Sequence, residues 1–181
     1  MVGFEVARAL GAPLDVLVTR KLGAPHNPEF GFGAVGPGGV KVVDERSVRM
    51  LGLSEGEVER IAAQERCEME RRLLRYRGDR PWPSVSGRTA MVVDDGLATG
   101  VTARAAVRVV RQWRPRAIVL AVPVGASDTA AALRREVDEL VCLHEPAAFM
   151  AVGRWYEDFA QTTDEEVLDL LERARSFGCA G

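Results

Sequence analysis

The sequence predicts an α/β protein of three layers, α/β/α, built on a mainly parallel sheet. Short apolar stretches rich in β-branched residues alternate along the chain with segments whose apolar residues recur every three or four positions. Strands that alternate with helices favour a parallel sheet covered by helices on both faces. A length of 181 residues suits one domain, so we expect residues 1–181 to fold as a single unit.

Three elements are predicted early in the chain: a helix over 4–10, a short apolar strand over 14–19 and a strand over 40–43. Residues 20–39 are rich in glycine and proline, which predicts a long loop. A long helix begins at Ser54, because Ser54 and Glu57 have the spacing of a capping box.

The second half of the chain continues the alternation. Its predicted elements are a strand over 91–93, a helix over 103–110, a strand over 117–122, a helix over 127–135 and a strand over 139–143. A terminal helix begins at Thr163, which has capping-box spacing to Glu166, and runs to about Ser176, with Gly178 as a stop signal beyond it. Because ligands of parallel sheets bind at the carboxyl ends of the strands, a site is expected after residue 93.

The most informative segment runs from Val92 to Thr102. An apolar strand ends in two carboxylates, Asp94 and Asp95, and a loop of small and hydroxyl residues leads into a helix. The backbone N–H groups of such a loop and the helix dipole favour an anion, and Thr99 and Thr102 add hydroxyl donors. The carboxylates cannot favour that phosphate, but they suit the vicinal hydroxyls of a sugar. The segment therefore predicts a site for a ribose 5-phosphate.

Three other interpretations of this segment compete with the ribose 5-phosphate site. An acidic turn that only caps a buried strand stays open, since Asp-Gly is a common turn pair. A P-loop is excluded because no Gly-Lys-Ser/Thr follows the glycine-rich turn. A phosphate-accepting receiver domain would need a lysine at the end of a later strand, and the strand over 118–124 ends without one.

The run Val92-Val-Asp-Asp-Gly-Leu-Ala-Thr-Gly-Val-Thr102 resembles the phosphoribosyl-diphosphate (PRPP) binding motif of the type I phosphoribosyltransferases. The resemblance implies that Asp94 and Asp95 hold the ribose hydroxyls during catalysis. It implies a phosphate-binding loop made of Gly96, Leu97, Ala98, Thr99, Gly100, Val101 and Thr102. It also implies Mg²⁺, which Asp94 and Asp95 would contact only indirectly through PRPP, and a homodimer, which is common in the family.

Further segments extend the resemblance to nearly the whole chain. These segments are 12–25, 76–81 and 151–159. They are similar to a bacterial subgroup of the family whose acceptor substrate is poorly defined.

In the family, a mobile loop that typically begins with basic residues closes over the active site at the position of residues 20–39. Arg20 and Lys21 are similar to that start, which implies that Lys21 is the cation for the diphosphate and that Arg20 supports it. Cations near the departing diphosphate would stabilise its charge, and closure would exclude water. The alternative is that both residues only mark the solvent end of a strand. His26 is either a general acid or base or a solvated loop residue.

The segment after the last core strand forms a hood over the acceptor base in the wider family, and residues 143–162 correspond to it. Trp155 and Tyr156 lie there, and aromatic faces stack well on planar heterocycles. The alternative is that both rings pack the terminal helix onto the sheet. His144 stands at a strand end from which it could approach the ligand.

One departure from the family concerns the start of the chain. Family members usually have a central strand and a short diphosphate-binding loop ahead of their first helix, and residues 1–10 resemble the segment immediately after that loop. Three explanations compete: a start codon assigned too late, a fragment, or a rearranged and inactive domain. Our hypothesis is the first, and the coding frame upstream of Met1 tests it.

Together these features predict a transferase that moves the 5-phosphoribosyl group from PRPP to a purine- or pyrimidine-like acceptor and releases diphosphate. The alternative is a non-catalytic regulatory module that binds PRPP or a nucleotide. The net charge of −2 gives no electrostatic reason to expect nucleic-acid or membrane binding. Three widely spaced cysteines, Cys67, Cys142 and Cys179, favour reduced thiols and a cytoplasmic location.

Overall fold

The structure is a computed structural model, and it describes residues 1–177. Its helices and strands are, in chain order, α1 Val2–Leu10, β1 Arg20–Ala24, β2 Asn27–Gly36, β3 Val40–Val43, α2 Glu45–Leu51, α3 Glu55–Arg77, β4 Thr89–Val93, α4 Val101–Gln112, β5 Ala117–Val124, α5 Ser127–Leu133, β6 Glu139–His144 and α6 Asp164–Arg173. Two 3-10 helices, Val152–Trp155 and Ala174–Ser176, lie before and after α6. None of the helices in residues 1–177 is both long and apolar enough to cross a membrane.

A parallel sheet of three strands, in the order β4-β5-β6, carries the second half of the fold. Its register pairs Val92 of β4 with Leu120 of β5, and Leu120 with Leu140 of β6. The buried residues Leu120, Val122 and Leu133 form a cluster that joins this sheet to α5. The α/β class with a parallel sheet flanked by helices is confirmed.

An antiparallel sheet, in the order β1-β2-β3, forms the other half of the fold. The long helix α3 packs on it through Val58 and Ile61, which meet Leu22 and Phe32. Helix α4 packs on it through Val101 and other apolar residues. Helix α4 also packs on the parallel sheet, where Val107 and Val110 meet Ala90 and Ile118, so α4 is buried between the two sheets.

The expectation that residues 20–39 form a loop is wrong, because most of them belong to β1 and β2. Glycines in these strands allow neighbouring backbone to pack closely. A Cβ at Gly33 would lie 2.5 Å from the carbonyl oxygen of Val42, and one at Gly23 would lie 2.6 Å from that of Pro28. A side chain at either position would force the neighbouring backbone to move. The glycine content of residues 20–39 therefore predicted a loop, although most of these residues form closely paired strands.

Residues 14–19 do not form the strand that their apolar pattern predicts, since within residues 1–177 no strand pairs with them. Leu14 and Val16 pack against α3 and α6. The apolar pattern of residues 14–19 therefore reflects the partial burial of these side chains, and not backbone pairing in a sheet. Helix α2 is an element that the sequence patterns did not predict; Asp44 caps it by accepting hydrogen bonds from the N–H groups of Arg46 and Ser47.

The two capping boxes are confirmed. The Ser54 hydroxyl accepts from Glu57 N–H at the start of α3, and the Thr163 hydroxyl accepts from Glu166 N–H at the start of α6. The predicted stop at Gly178 lies outside the described residues, as does Cys179.

Candidate active site

The acidic pair lies at the carboxyl end of β4, where the sequence predicted a site. Asp94 donates its N–H to the carbonyl oxygen of Ala121, which ties the turn to β5, and Asp95 N–H donates to Asp94 Oδ1 over 3.0 Å. Burial and the negative charge of Asp95 raise the pKa of Asp94 to about 7. Burial also raises the pKa of Asp95. Below about pH 7 the pair therefore carries fewer than two negative charges.

The loop after the acidic pair is fastened to the end of β5. Leu97 is fully buried; its N–H donates to the carbonyl oxygen of Val124 over 2.9 Å, and its own carbonyl accepts from Ala126 N–H over 2.8 Å. The hydroxyl of Thr129 in α5 donates to the carbonyl oxygen of Ala98 over 2.7 Å. These three bonds hold the loop backbone in one shape. No sequence pattern indicates the role of Thr129.

The loop leaves a run of donors without a partner. Gly100, the N-cap of α4, adopts a left-handed conformation with φ 70°. Residues 1–177 provide no acceptor for the N–H groups of residues 98–103, of which 101–103 are the first turn of the helix. Ala98 and Thr99 are exposed and Thr102 is half-buried, so their groups can reach a ligand. Such a row of N–H groups at a helix N-terminus binds an anion.

The hood segment packs directly on the acidic turn. Tyr156 Oη donates a hydrogen bond of 2.6 Å to the carbonyl oxygen of Asp95. Gly96 lies under Val152, because a Cβ at Gly96 would stand 2.8 Å from Val152 Cγ1. Burial, together with the charges of Asp95 and Asp94, raises the pKa of Tyr156, so its hydroxyl stays protonated and can donate. The sequence predicts for Tyr156 either stacking on the acceptor or packing of the terminal helix, and it does not indicate this hydrogen bond.

No family model matches the chain. Over 181 residues the chain is 47% identical to two proteins of Mycobacterium tuberculosis, from strains CDC 1551 / Oshkosh and ATCC 25618 / H37Rv, each named "Putative phosphoribosyl transferase". These matches include 99% of the chain but 41% of each relative, so the chain spans about two fifths of the length of the curated relatives it matches.

A solved structure gives the same relationship in three dimensions. The crystal structure of a protein from Thermus thermophilus is 44% identical and superposes with a TM-score of 0.72, covering 94% of the chain and 80% of the Thermus chain. The chain thus shares its fold with the Thermus protein and is similar in sequence to part of the two Mycobacterium proteins.

Arg20 and Lys21 line a groove whose walls, among residues 1–177, do not include Asp94 or Asp95. Both lie in β1 and line a groove with α3, in which Arg20 Nε bonds Glu65 Oε2 at 2.8 Å. The Lys21 stem packs on Gly31, and a Cβ at Gly31 would lie 3.5 Å from Val101 Cγ2. Gly31 thus lies between the Lys21 side chain and Val101, the first residue of α4. Arg20, in contrast, is bonded to Glu65 of α3.

The remaining candidates are spread over the carboxyl edge and the hairpin. His144 ends β6 and its ring meets Trp155 edge-on, with centroids 4.9 Å apart. Trp155 is 42% exposed, so part of its side chain is accessible to solvent. His26 is exposed at the turn between β1 and β2. The structure thus groups His144 with the hood.

The donor set is compatible with Mg²⁺ held through a ligand. In the part of the chain that the structure describes, no group of three or more His, Cys, Asp or Glu side chains converges on a metal position. Asp94 and Asp95 are two adjacent hard oxygen donors at the site. Mg²⁺ is usually bound by one or two carboxylates together with substrate phosphates and water, and this pair fits that role.

Proposed function

We propose that the protein is a phosphoribosyltransferase that transfers the 5-phosphoribosyl group of PRPP to a purine- or pyrimidine-like nitrogen acceptor and releases diphosphate. The observation that carries the proposal is the run of unpartnered N–H groups over residues 98–103, placed directly after two carboxylates. An anion site joined to a pair of hydroxyl acceptors suits a sugar phosphate and few other small ligands.

Each part of the site has a distinct role in this proposal. The N–H groups of the loop bind the 5-phosphate, and the hydroxyls of Thr99 and Thr102 add donors to it. Asp94 and Asp95 accept hydrogen bonds from the ribose hydroxyls and stabilise the positive charge that develops at the anomeric carbon. Mg²⁺, held through PRPP beside the acidic pair, would neutralise diphosphate charge.

The diphosphate side depends on Lys21. Its stem packs beside Gly31 near the start of α4, so its ammonium group can approach a ligand bound at the loop. Arg20 is directed toward α3, where its Nε bonds Glu65 Oε2. Trp155, with its exposed ring, is proposed to stack on the acceptor, while Tyr156 holds the hood in place.

A second candidate is a regulatory module that binds PRPP or a nucleotide without catalysis. It is favoured by one observation: Arg20 and Lys21 line a groove that does not include Asp94 or Asp95. A module of this kind needs the phosphate loop and the acidic pair but no cation for a leaving group.

One experiment separates the two candidates. The protein is incubated with Mg²⁺ and PRPP, and diphosphate release is followed over a panel of bases; calorimetry measures PRPP binding in parallel. Release with at least one base supports the transferase, and binding without release for every base supports the module. Asp95→Asn and Thr99→Ala should each weaken binding, whereas Asp79→Asn, at an exposed position outside the site, should not. Absence of PRPP binding would overturn both.

A further inference from the structure

The start of α5 donates two hydrogen bonds to the carbonyl groups of the phosphate-binding loop, residues 96–102. The N–H of Ala126, the N-cap of α5, donates to the carbonyl oxygen of Leu97 over 2.8 Å. The hydroxyl of Thr129 donates to the carbonyl oxygen of Ala98 over 2.7 Å. Two consecutive carbonyl groups of the loop are therefore directed toward α5.

The direction of each carbonyl sets the direction of the N–H group that follows it. Within residues 1–177 every peptide bond is trans, and the C=O and N–H of a planar trans peptide point in opposite directions. The N–H groups of Ala98 and Thr99 therefore point away from α5. Both residues are exposed, and neither N–H has an acceptor within residues 1–177. Successive N–H groups that share a direction bind an anion, so α5 turns these two donors toward the side where a phosphate binds.

The methyl group of Thr129 also contacts the loop. A Cβ at Gly100 would lie 2.7 Å from Thr129 Cγ2, so this methyl group lies against the N-cap of α4. A β-branched side chain is restricted at χ1, and the methyl contact therefore favours the rotamer in which the hydroxyl reaches Ala98. The half-buried side chain of Thr129 thus contacts the loop at two points, Ala98 and Gly100.

Of the two bonds from α5, only the one from Thr129 depends on a side chain. The Ala126 bond comes from the backbone, which every residue except proline can supply. The Ala98 bond is lost when position 129 lacks a hydroxyl. Without that bond, rotation of the peptide between Ala98 and Thr99 can place a carbonyl oxygen where the N–H pointed, and a carbonyl oxygen repels an anion.

We propose that Thr129 is a positioning residue for the phosphate-binding loop, which holds the Ala98 carbonyl so that the Thr99 N–H donates to the 5-phosphate. This assignment rests on the proposed function, because it requires that the loop binds a phosphate. Thr129 itself does not touch the ligand. The 5-phosphate takes no part in bond breaking, so its contacts are the same in the ground state and in the transition state. Thr129 therefore acts on the affinity for the phosphate, and not on the rate of the chemical step.

The test titrates inorganic phosphate and, separately, ribose 5-phosphate into isotope-labelled protein and follows the Thr99 amide by NMR. Thr129→Val keeps the methyl contact and removes the donor, so it should weaken both ligands by roughly tenfold and reduce the shift of the Thr99 amide at saturation. Thr129→Ser keeps the donor and should stay within about threefold of the wild type. Thr89→Val is the matched control, because the Thr89 hydroxyl accepts from Arg116 at the other end of β4; its affinities should equal those of the wild type.

The diphosphate-release assay adds a kinetic readout. Thr129→Val should raise the KM for PRPP and change kcat by less than about twofold. A lower kcat with unchanged KM overturns the proposal.

Melting temperatures of all variants separate a loss of binding from a loss of folding. Where Thr129→Val does not fold, Thr129→Ala, which also lacks the donor, replaces it in the same comparison. Wild-type affinity in the variant without the hydroxyl overturns the role of Thr129 and leaves the proposed function intact. An equal loss in Thr129→Ser overturns it as well, since the donor would then not be the cause. If the wild type binds neither ligand, the phosphate site and this proposal are both overturned.

Discussion

Tyr156 Oη donates a 2.6 Å hydrogen bond to the backbone carbonyl of Asp95, joining the hood to the acidic turn. The bond fixes the carbonyl of a residue whose carboxylate we assign to the ribose, so hood position and ribose binding are mechanically linked. The ring also contacts Phe159, with centroids 5.1 Å apart, which holds the hood segment together.

Tyr156→Phe should weaken PRPP binding by about fivefold, the equivalent of one hydrogen bond of roughly 1 kcal/mol. Isothermal titration calorimetry measures it. Tyr76→Phe is the matched control, because Tyr76 Oη also donates to an acceptor, Asp164, but far from the site. The control should lower thermal stability without changing PRPP affinity; equal affinity loss in both variants would contradict the assignment.

The raised pKa of Asp94 predicts a pH-dependent stability. The folded protein holds this proton to about pH 7, whereas the carboxyl has an ordinary pKa of 3.8 when exposed. Since the folded state binds more protons between these values, its stability falls as the pH rises from about 4 to about 7. Asp94→Asn removes this pH dependence. The melting temperature of the variant should therefore exceed that of the wild type by an amount that grows, between about pH 4 and about pH 7, to a few degrees. An Asp79→Asn control should follow the wild-type profile.

Gly100 should tolerate no side chain. At Gly100 a Cβ would stand 2.7 Å from Thr129 Cγ2 and 3.0 Å from Leu133 Cδ1, in addition to the cost of its left-handed φ. Gly52 has a similar φ of 66° and nothing within 4 Å of its Cβ position, so Gly52→Ala isolates the conformational cost. Denaturant unfolding should show a loss of about 1 kcal/mol for Gly52→Ala and roughly 2–4 kcal/mol for Gly100→Ala. Only the latter should weaken phosphate binding.

Lys21→Met tests the diphosphate side of the site. If Lys21 stabilises the departing diphosphate, the rate of diphosphate release should fall by roughly tenfold or more, with a smaller change in PRPP affinity. Lys41→Met is the control from the same sheet, since Lys41 Nζ pairs with Glu59 Oε2 at 2.5 Å. Equal rates for the two variants would remove Lys21 from the mechanism and favour the regulatory module.

Several elements were predictable because their signals are local. Capping pairs at Ser54 and Thr163, and the apolar strand ahead of Asp94, place helix starts and the site turn within a residue or two. The acidic pair and the phosphate loop were identified from the same few residues, since the chemistry of that turn lies in one continuous segment.

The features that could not be predicted depend on contacts distant in sequence. The glycines of β2 indicated a loop, although they permit close approach of Val42 and of the Lys21 stem. Thr129 and Tyr156 act on the site across 31 and 61 positions of the chain, and no spacing rule links them to it. The pairing of Arg20 with Glu65 is likewise visible only in three dimensions.

The anchoring of Leu97 to both Val124 and Ala126 has a consequence for how fast a ligand is captured. A loop bonded at both its N–H and its carbonyl to the end of a strand loses its conformational entropy when the protein folds, and not when an anion arrives. The association rate is then limited by diffusional encounter and orientation, because no slow ordering of the loop has to precede binding. The recognition step is thus completed largely during folding, before any sugar phosphate is present.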